Sequence, residues 1–255
     1  AQVDAPPAPA PESGKAALPV SPFPNALKWH SKPGASRVIF VDFDGHVITG
    51  TAWNASAGVN SWDCKVYSTD ADETTYSDAE QALMYGIWKR MAEDYAPFDV
   101  DVTTEQPSTW TSTTGHCLIT ETTDKNGVAC PHNGYGGIAY VNVFGSGSYT
   151  YYSPAWVTEY ANMYSAEAGS HEIGHNLGLS HDGSTADGAY YKGHVIASGS
   201  SYTWNAIMGG GVTPDISQWS KGEYYQSTNT EDDLAILSAK LPYRTDDAGN
   251  TNGTA

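Results

Sequence analysis

His171-Glu172-Ile173-Gly174-His175-Asn176-Leu177-Gly178-Leu179-Ser180-His181-Asp182 is the stretch on which the fold and chemistry of this 255-residue chain turn. On a helix, residues four apart share a face, so His171 and His175 aim at one point while Glu172 stands beside them. Catalytic zinc takes three protein ligands and keeps one position for water, so a third donor has to come from beyond that helix. Gly178 permits a positive-φ step that ends the helix and swings His181 back toward the first two rings. The spacing predicts a zinc site of His171, His175 and His181, with Glu172 as the general base that takes a proton from water during attack on a peptide carbonyl. A bare His-Glu-x-x-His arises by chance in unrelated chains. Requiring Gly at the eighth position and His at the eleventh removes roughly two further orders of magnitude of random matches, since Gly is about 7% of residues and His is rarer.

Outward from this motif, residues 165–179 carry an acidic residue near their start and apolar or small residues at Ala166, Ala168, Ile173, Leu177 and Leu179, which predicts a helix ending near Gly178. Residues 37–42, Arg-Val-Ile-Phe-Val-Asp, read as a buried strand stopped by the turn signal Asp44-Gly45. Ser77 precedes Asp78, Glu80 and the spacing Ala79, Leu83, Ile87, Met91, the pattern of an N-capped helix running to about Tyr95 before Pro97. Further strands are expected at 100–104, 116–121 and 137–144. Residues 181–225 lack periodicity and read as irregular loops, and Thr230 is placed to cap a last helix through about Leu241. The order strand, helix, strand implies an α+β class with a mixed sheet and a helix packed on it.

Twelve basic against 29 acidic residues give a net charge of -17, which opposes binding to nucleic acid or to an anionic membrane surface. No run of about 18 apolar residues occurs. With 17 Tyr and 8 Trp the composition is that of a packed domain. A single catalytic domain over 36–245 and a monomer are expected, preceded by a Pro/Ala-rich leader or linker over 1–35 and followed by a flexible tail over 246–255. The start Ala1-Gln2-Val3-Asp4 has the look of a signal-peptide cleavage product, so secretion is expected. In an oxidising compartment the shortest closure among the three cysteines joins Cys117 to Cys130, worth about 3 kcal/mol by chain entropy. Cys64 is then left over and reads as buried and inert.

Asp42-Phe43-Asp44-Gly45-His46 alternates carboxylates beside a turn, which fits either a calcium site or a solvated turn. His30, His46, His116, His132 and His194 each read as solvated or hydrogen-bonded residues rather than ligands.

The zinc motif resembles the metzincin signature, and Ala206-Ile207-Met208-Gly209 looks like that family's Met-turn. Asp182 directly after the third His, together with Asn176-Leu177-Gly178, is similar to the reprolysin-like (adamalysin) branch. The resemblance implies a twisted, mostly parallel sheet with two long helices, an upper subdomain over about 36–180, and an irregular lower one over about 181–245 with a terminal helix. It gives Met208 the role of supporting the ligand platform and makes Asp182 and Gly178 its surroundings. It also makes residues 137–144, above all Gly137, Ile138, Ala139 and Tyr140, the edge that pairs with an extended substrate. The Cys-rich loops of animal members, the nonapeptide repeats of serralysins and a zinc-ligating Tyr soon after the Met are absent, which points to a bacterial-type secreted relative. The activity implied is zinc-dependent cleavage of proteins or peptides at internal bonds. A zinc-containing binding or adhesion module without catalysis is the alternative, against which Glu172 argues, because structural zinc needs no base.

Overall fold

Strand Val38–Asp42 (β2) sits inside a six-stranded sheet because both of its faces are apolar or paired. The computed structural model describes residues 2–3, 27–70, 72–131, 136–159, 161–210 and 213–245. The other strands of this sheet are β1 (Gln2–Val3), β5 (Asp101–Thr103), β6 (Thr114–Thr120), β7 (Gly137–Ala139) and β8 (Ala155–Thr158). Their order is β1-β7-β8-β6-β2-β5. Pairings β2–β5, β2–β6 and β6–β8 are parallel, whereas β7 runs antiparallel to β8 and to β1. Residues 27–35 extend along the opposite edge: Ser31 N–H donates to Val102 O and Thr104 N–H to Trp29 O.

Two long helices cover one face. Helix α2 (Asp78–Asp94) begins at Ser77, whose hydroxyl accepts from Glu80 N–H while the Glu80 carboxylate takes the Ser77 amide. Helix α4 (Tyr164–Leu177) packs on α2 and the sheet with nearly every residue buried. The small residues at its start allow this closeness, since a Cβ at Gly169 would lie 2.7 Å from Met91 Sδ. Between helices and sheet, Ile39, Val41, Cys117, Ile119, Ala155 and Val157 form the main core with Ile87, Met91 and Ile173.

By the two-residue period of strands, the opposite face presents Phe40, Asp42, His116, Leu118, Trp156 and Ile138. It is covered by a small layer made of β3 (Val47–Thr49), helix α1 (Ala52–Ala57) and β4 (Ser61–Asp63), the two strands forming an antiparallel pair. Trp53, Trp62, Cys64 and Cys130 fill the space beneath it against Leu118, Ile138 and Trp156. A short helix α3 (Tyr149–Tyr152) leads into β8. The mostly parallel mixed sheet and its helices match the α+β class expected from sequence. No helix among the described residues is long and apolar enough to cross a membrane.

Four expectations need correction. The strand expected over 137–144 stops at Ala139, because the amides of Asn142 and Phe144 turn to the terminal carbonyls of α4, donating to His175 O and Asn176 O. Residues 181–225 are not wholly irregular: β9 (His194–Val195), β10 (Thr203–Ala206) and β11 (Ile216–Gln218) make a three-stranded sheet, braced by stacking of Tyr191 on Tyr224 at 4.4 Å. The last helix, α5 (Asp233–Ser238), is shorter than expected and is capped by Asp232 rather than Thr230. Finally, Cys117 and Cys130 form no disulfide, since the sheet lies between them; Cys117 faces the helices and Cys130 the outer layer. The Cys130 thiol instead meets Cys64, and that hydrogen bond together with burial raises the Cys64 pKa far above the thiol range. His132, Gly134, most of the leader and the 246–255 tail lie outside the described residues.

Two outcomes follow from this packing. All three thiols are buried, so iodoacetamide is expected to leave the native chain unlabelled and to modify each cysteine after denaturation, as read by mass spectrometry. Burial pushes the Asp233 carboxyl up to about 8 from an ordinary 3.8, helped by the charge of Asp182. A folded-state pKa above the unfolded one contributes stability that is complete below the unfolded value and is lost as pH rises through the folded one. Asp233→Asn, which imitates the protonated acid, should therefore gain on wild type as pH goes from 4 to 8, by about 2 to 4 °C in Tm or more. A gap independent of pH would contradict this.

Candidate metal centre

Helix α4 carries His171, Glu172 and His175 on a buried stretch and ends at Gly178, whose φ of 119° turns the chain out of the helix. That turn brings Leu179 O to 2.8 Å from His175 Nδ1, and it returns His181 so that its Nε2 stands 3.0 Å from His175 Nε2. His171 Nε2 lies 3.1 Å from His175 Nε2 on the other side. The three imidazoles thus point their Nε2 atoms at one small volume. Asn229 holds the third ring's segment by donating to His181 O, and Tyr190 packs on that ring at 4.3 Å.

The donor set fits a zinc ion on the chemistry of its nitrogens. His171 Nδ1 faces Ile207 O and His175 Nδ1 faces Leu179 O, each at 2.8 Å. A carbonyl only accepts, so both Nδ1 atoms carry the proton and both Nε2 atoms present lone pairs. The Nε2 lone pairs of His171 and His175, 3.1 Å apart, repel unless a cation lies between them. Around tetrahedral zinc with N at 2.0 to 2.1 Å the nitrogens stand about 3.3 Å apart, which these rings reach by opening a few tenths of an ångström. The carbonyl partners are the orienting contacts that metal-bound histidines ordinarily have.

The remaining candidates from the sequence surround this centre. Met208 is fully buried under α4, filling the space left by Gly174, where a Cβ would come 2.7 Å from its sulfur. Its neighbour Ile207 supplies the carbonyl to His171, and Met208 O accepts from Asp182 N–H at 2.7 Å. Asp182 does not reach the metal position; its carboxylate accepts from the Ser220 and Tyr224 hydroxyls and pins the chain after His181 to the C-terminal layer. Burial raises its pKa, against which those hydroxyls act. Of the expected edge residues, Gly137, Ile138 and Ala139 form β7, while Tyr140 lies beyond it, packed on Trp53 at 4.4 Å.

Three contributors escaped the sequence reading. A Cβ on Gly137 would lie 2.6 Å from Glu172 Oε1, so β7 presses its backbone directly on that carboxylate. Asn176, fully buried, donates to Tyr140 O and accepts from Tyr149, tying α4 to the chain beyond β7. The Ile207 and Leu179 carbonyls are backbone groups with no side-chain signature. The run of glycines before Ile138 was the available signal for the first contact. A pocket beside His171 and Glu172 is lined also by Gly136, Gly137, Tyr164, Ala168, Tyr190 and Gly210.

Residues 65–182 match the model of the reprolysin-like metallo-peptidase family M12B. The matched segment contains Glu172 and all three histidines and stops before Met208. The resemblance to reprolysin-like metzincins is thereby borne out. No individual curated protein matches the sequence.

Gly137→Ala tests the closeness of β7 to α4. The added methyl meets both Glu172 and Trp156 O at 2.6 Å, so overpacking of about 1 to 3 kcal/mol is expected. That is a fall in Tm of roughly 2 to 4 °C per kcal/mol. An unchanged Tm would mean that β7 stands off.

Proposed function

We propose that this reprolysin-like metallopeptidase is a secreted, zinc-dependent endopeptidase that cuts internal peptide bonds with Glu172 as general base. The observation that carries the reading is the convergence of three imidazole Nε2 atoms beside a buried carboxylate at the wall of a pocket. His171, His175 and His181 are the residues that would hold the zinc. When bound, zinc acidifies a water near neutrality and polarises a carbonyl. Glu172 takes the water's proton at its carboxylate and passes it to the departing amide nitrogen, so that one residue serves both halves of the hydrolysis.

Substrate alignment falls to β7. Its edge pairs antiparallel with the chain's own Gln2–Val3, Gln2 opposite Ala139 and Val3 opposite Ile138, which supports its use by an extended peptide. A peptide held there runs past Glu172, since Gly137 leaves no side chain between strand and base. The neighbouring pocket, lined by Tyr164, Ala168 and Tyr190, lies beside Glu172 and borders the path of such a peptide. The net charge of -17 favours protein or peptide substrates over nucleic acid.

A non-catalytic zinc module is the competing reading. Structural zinc has four protein ligands and a closed shell; here three imidazoles converge, and a pocket opens next to them.

Glu172→Ala is expected to keep zinc, as counted by plasma mass spectrometry, and to lose at least about two orders of magnitude in cleavage of a peptide library. Cleavage at the wild-type rate by that variant would remove Glu172 from the base role, and absence of cleavage by the zinc-loaded wild type would favour the non-catalytic module.

A further inference from the structure

The sheet face turned away from α4 holds a second convergence of donors. Asp42 ends β2, His116 lies on the adjacent β6, and His46 follows the turn between β2 and β3. His116 Nε2 is 2.8 Å and His46 Nδ1 3.2 Å from the same atom, Asp42 Oδ2. The Asp42 and His116 side chains are 0% and 4% exposed. Gly45, with a φ of 77°, makes the turn; a Cβ there would strike Cys64 O at 2.6 Å, so the bend is pressed onto the outer layer and His46 is returned over β2. Trp110 packs on both imidazoles, 4.8 Å from His116 and 5.7 Å from His46. A cleft between His46, Trp110 and Thr49 leads to solvent.

Both ring nitrogens converge on the one oxygen Oδ2 of a fully buried carboxylate. The donor spacings of 2.8 and 3.2 Å bracket the 3.0–3.1 Å of the three-histidine centre, and the His46 and His116 rings stand 4.9 Å apart, as closely as rings do there. Two imidazoles and a carboxylate suit zinc or a neighbouring late first-row ion, whereas calcium and magnesium take oxygen donors. Among the described residues no group of three carboxylates converges in this way, and the donors that gather at Asp42 include two nitrogens, which favours zinc over the calcium considered for Asp42 and Asp44.

We propose that Asp42, His46 and His116 form a second zinc site, structural in role, which fastens the outer layer of β3, α1 and β4 to the central sheet. Asp44, whose side chain hydrogen-bonds to Asp42, is the carboxylate that would complete the four protein ligands of a structural site. The site is separate from the proposed catalytic centre, with the sheet between them, and does not depend on that reading.

Zinc content of the full chain, measured by plasma mass spectrometry after equilibration with zinc and gel filtration, tests it. Wild type should retain two equivalents. A chain carrying His175→Ala and His181→Ala should retain one, and adding His46→Gln should remove it. His46 is chosen because its side chain is 25% exposed and lies in a turn. His46→Gln alone should keep one equivalent at the three-histidine centre, which also reports that it has folded. Zinc should raise the Tm of the chain with the three-histidine centre disabled, and not that of the same chain with His46→Gln. No zinc in the chain lacking only the three-histidine centre, uptake of calcium in place of zinc by that chain, or a single wild-type equivalent that His46→Gln leaves in place would each overturn the proposal. Should His46→Gln fail to fold, the chain with His46 intact and the other centre disabled still decides.

Discussion

Three imidazole nitrogens gathered at one point, the His175 Nε2 about 3 Å from each of the other two, define a constraint that the rest of the molecule is built to sustain. Left to themselves, neutral rings would turn away or one would take a proton. They are kept in place by carbonyls behind them, Ile207 O for His171 and Leu179 O for His175, which fix both tautomer and ring plane. Each carbonyl in turn comes from a segment with its own anchor. The Gly178 turn positions Leu179, and the Met208 segment is held by the Asp182 amide and by packing of its side chain into the gap at Gly174.

Absent side chains matter as much as present ones. Gly169 lets α4 approach Met91 of α2, Gly174 admits Met208, and Gly137 brings β7 onto Glu172. The helix therefore has close neighbours on three sides, and its histidines lie between a rigid sheet and a small C-terminal layer whose Leu237 and Leu241 join the main core. Rigid placement of this kind is what a centre that must hold an ion, a water and a peptide in fixed relation requires.

Much of this was legible in the sequence, for local reasons. The α4 boundaries followed from periodicity and from one glycine whose backbone conformation is its meaning, and α2 from Ser77 and Glu80, whose reciprocal hydrogen bonds depend only on nearby residues. Less legible was whatever depended on distant partners. The 137–144 strand looked continuous because its apolar pattern continues, yet Asn142 and Phe144 are claimed by helix carbonyls. The Cys117–Cys130 pairing followed loop length and ignored a sheet that had no sequence signal between the two positions. The layer of β3, α1 and β4, and with it the meeting of His46 and His116 over Asp42, joins residues some 70 positions apart that carry no shared motif. The glycine before His46 could be read as a turn, but not what the turn brought together.

The central claim is that His171, His175 and His181 share one ion and leave it open to solvent. Anomalous diffraction at the zinc edge from crystals of the zinc-loaded chain tests it directly. The account predicts a peak within about 2.0 to 2.1 Å of all three Nε2 atoms, with its remaining position facing the pocket beside Glu172. Rings that turn apart around no peak, or a peak sealed by a fourth protein side chain, would contradict it.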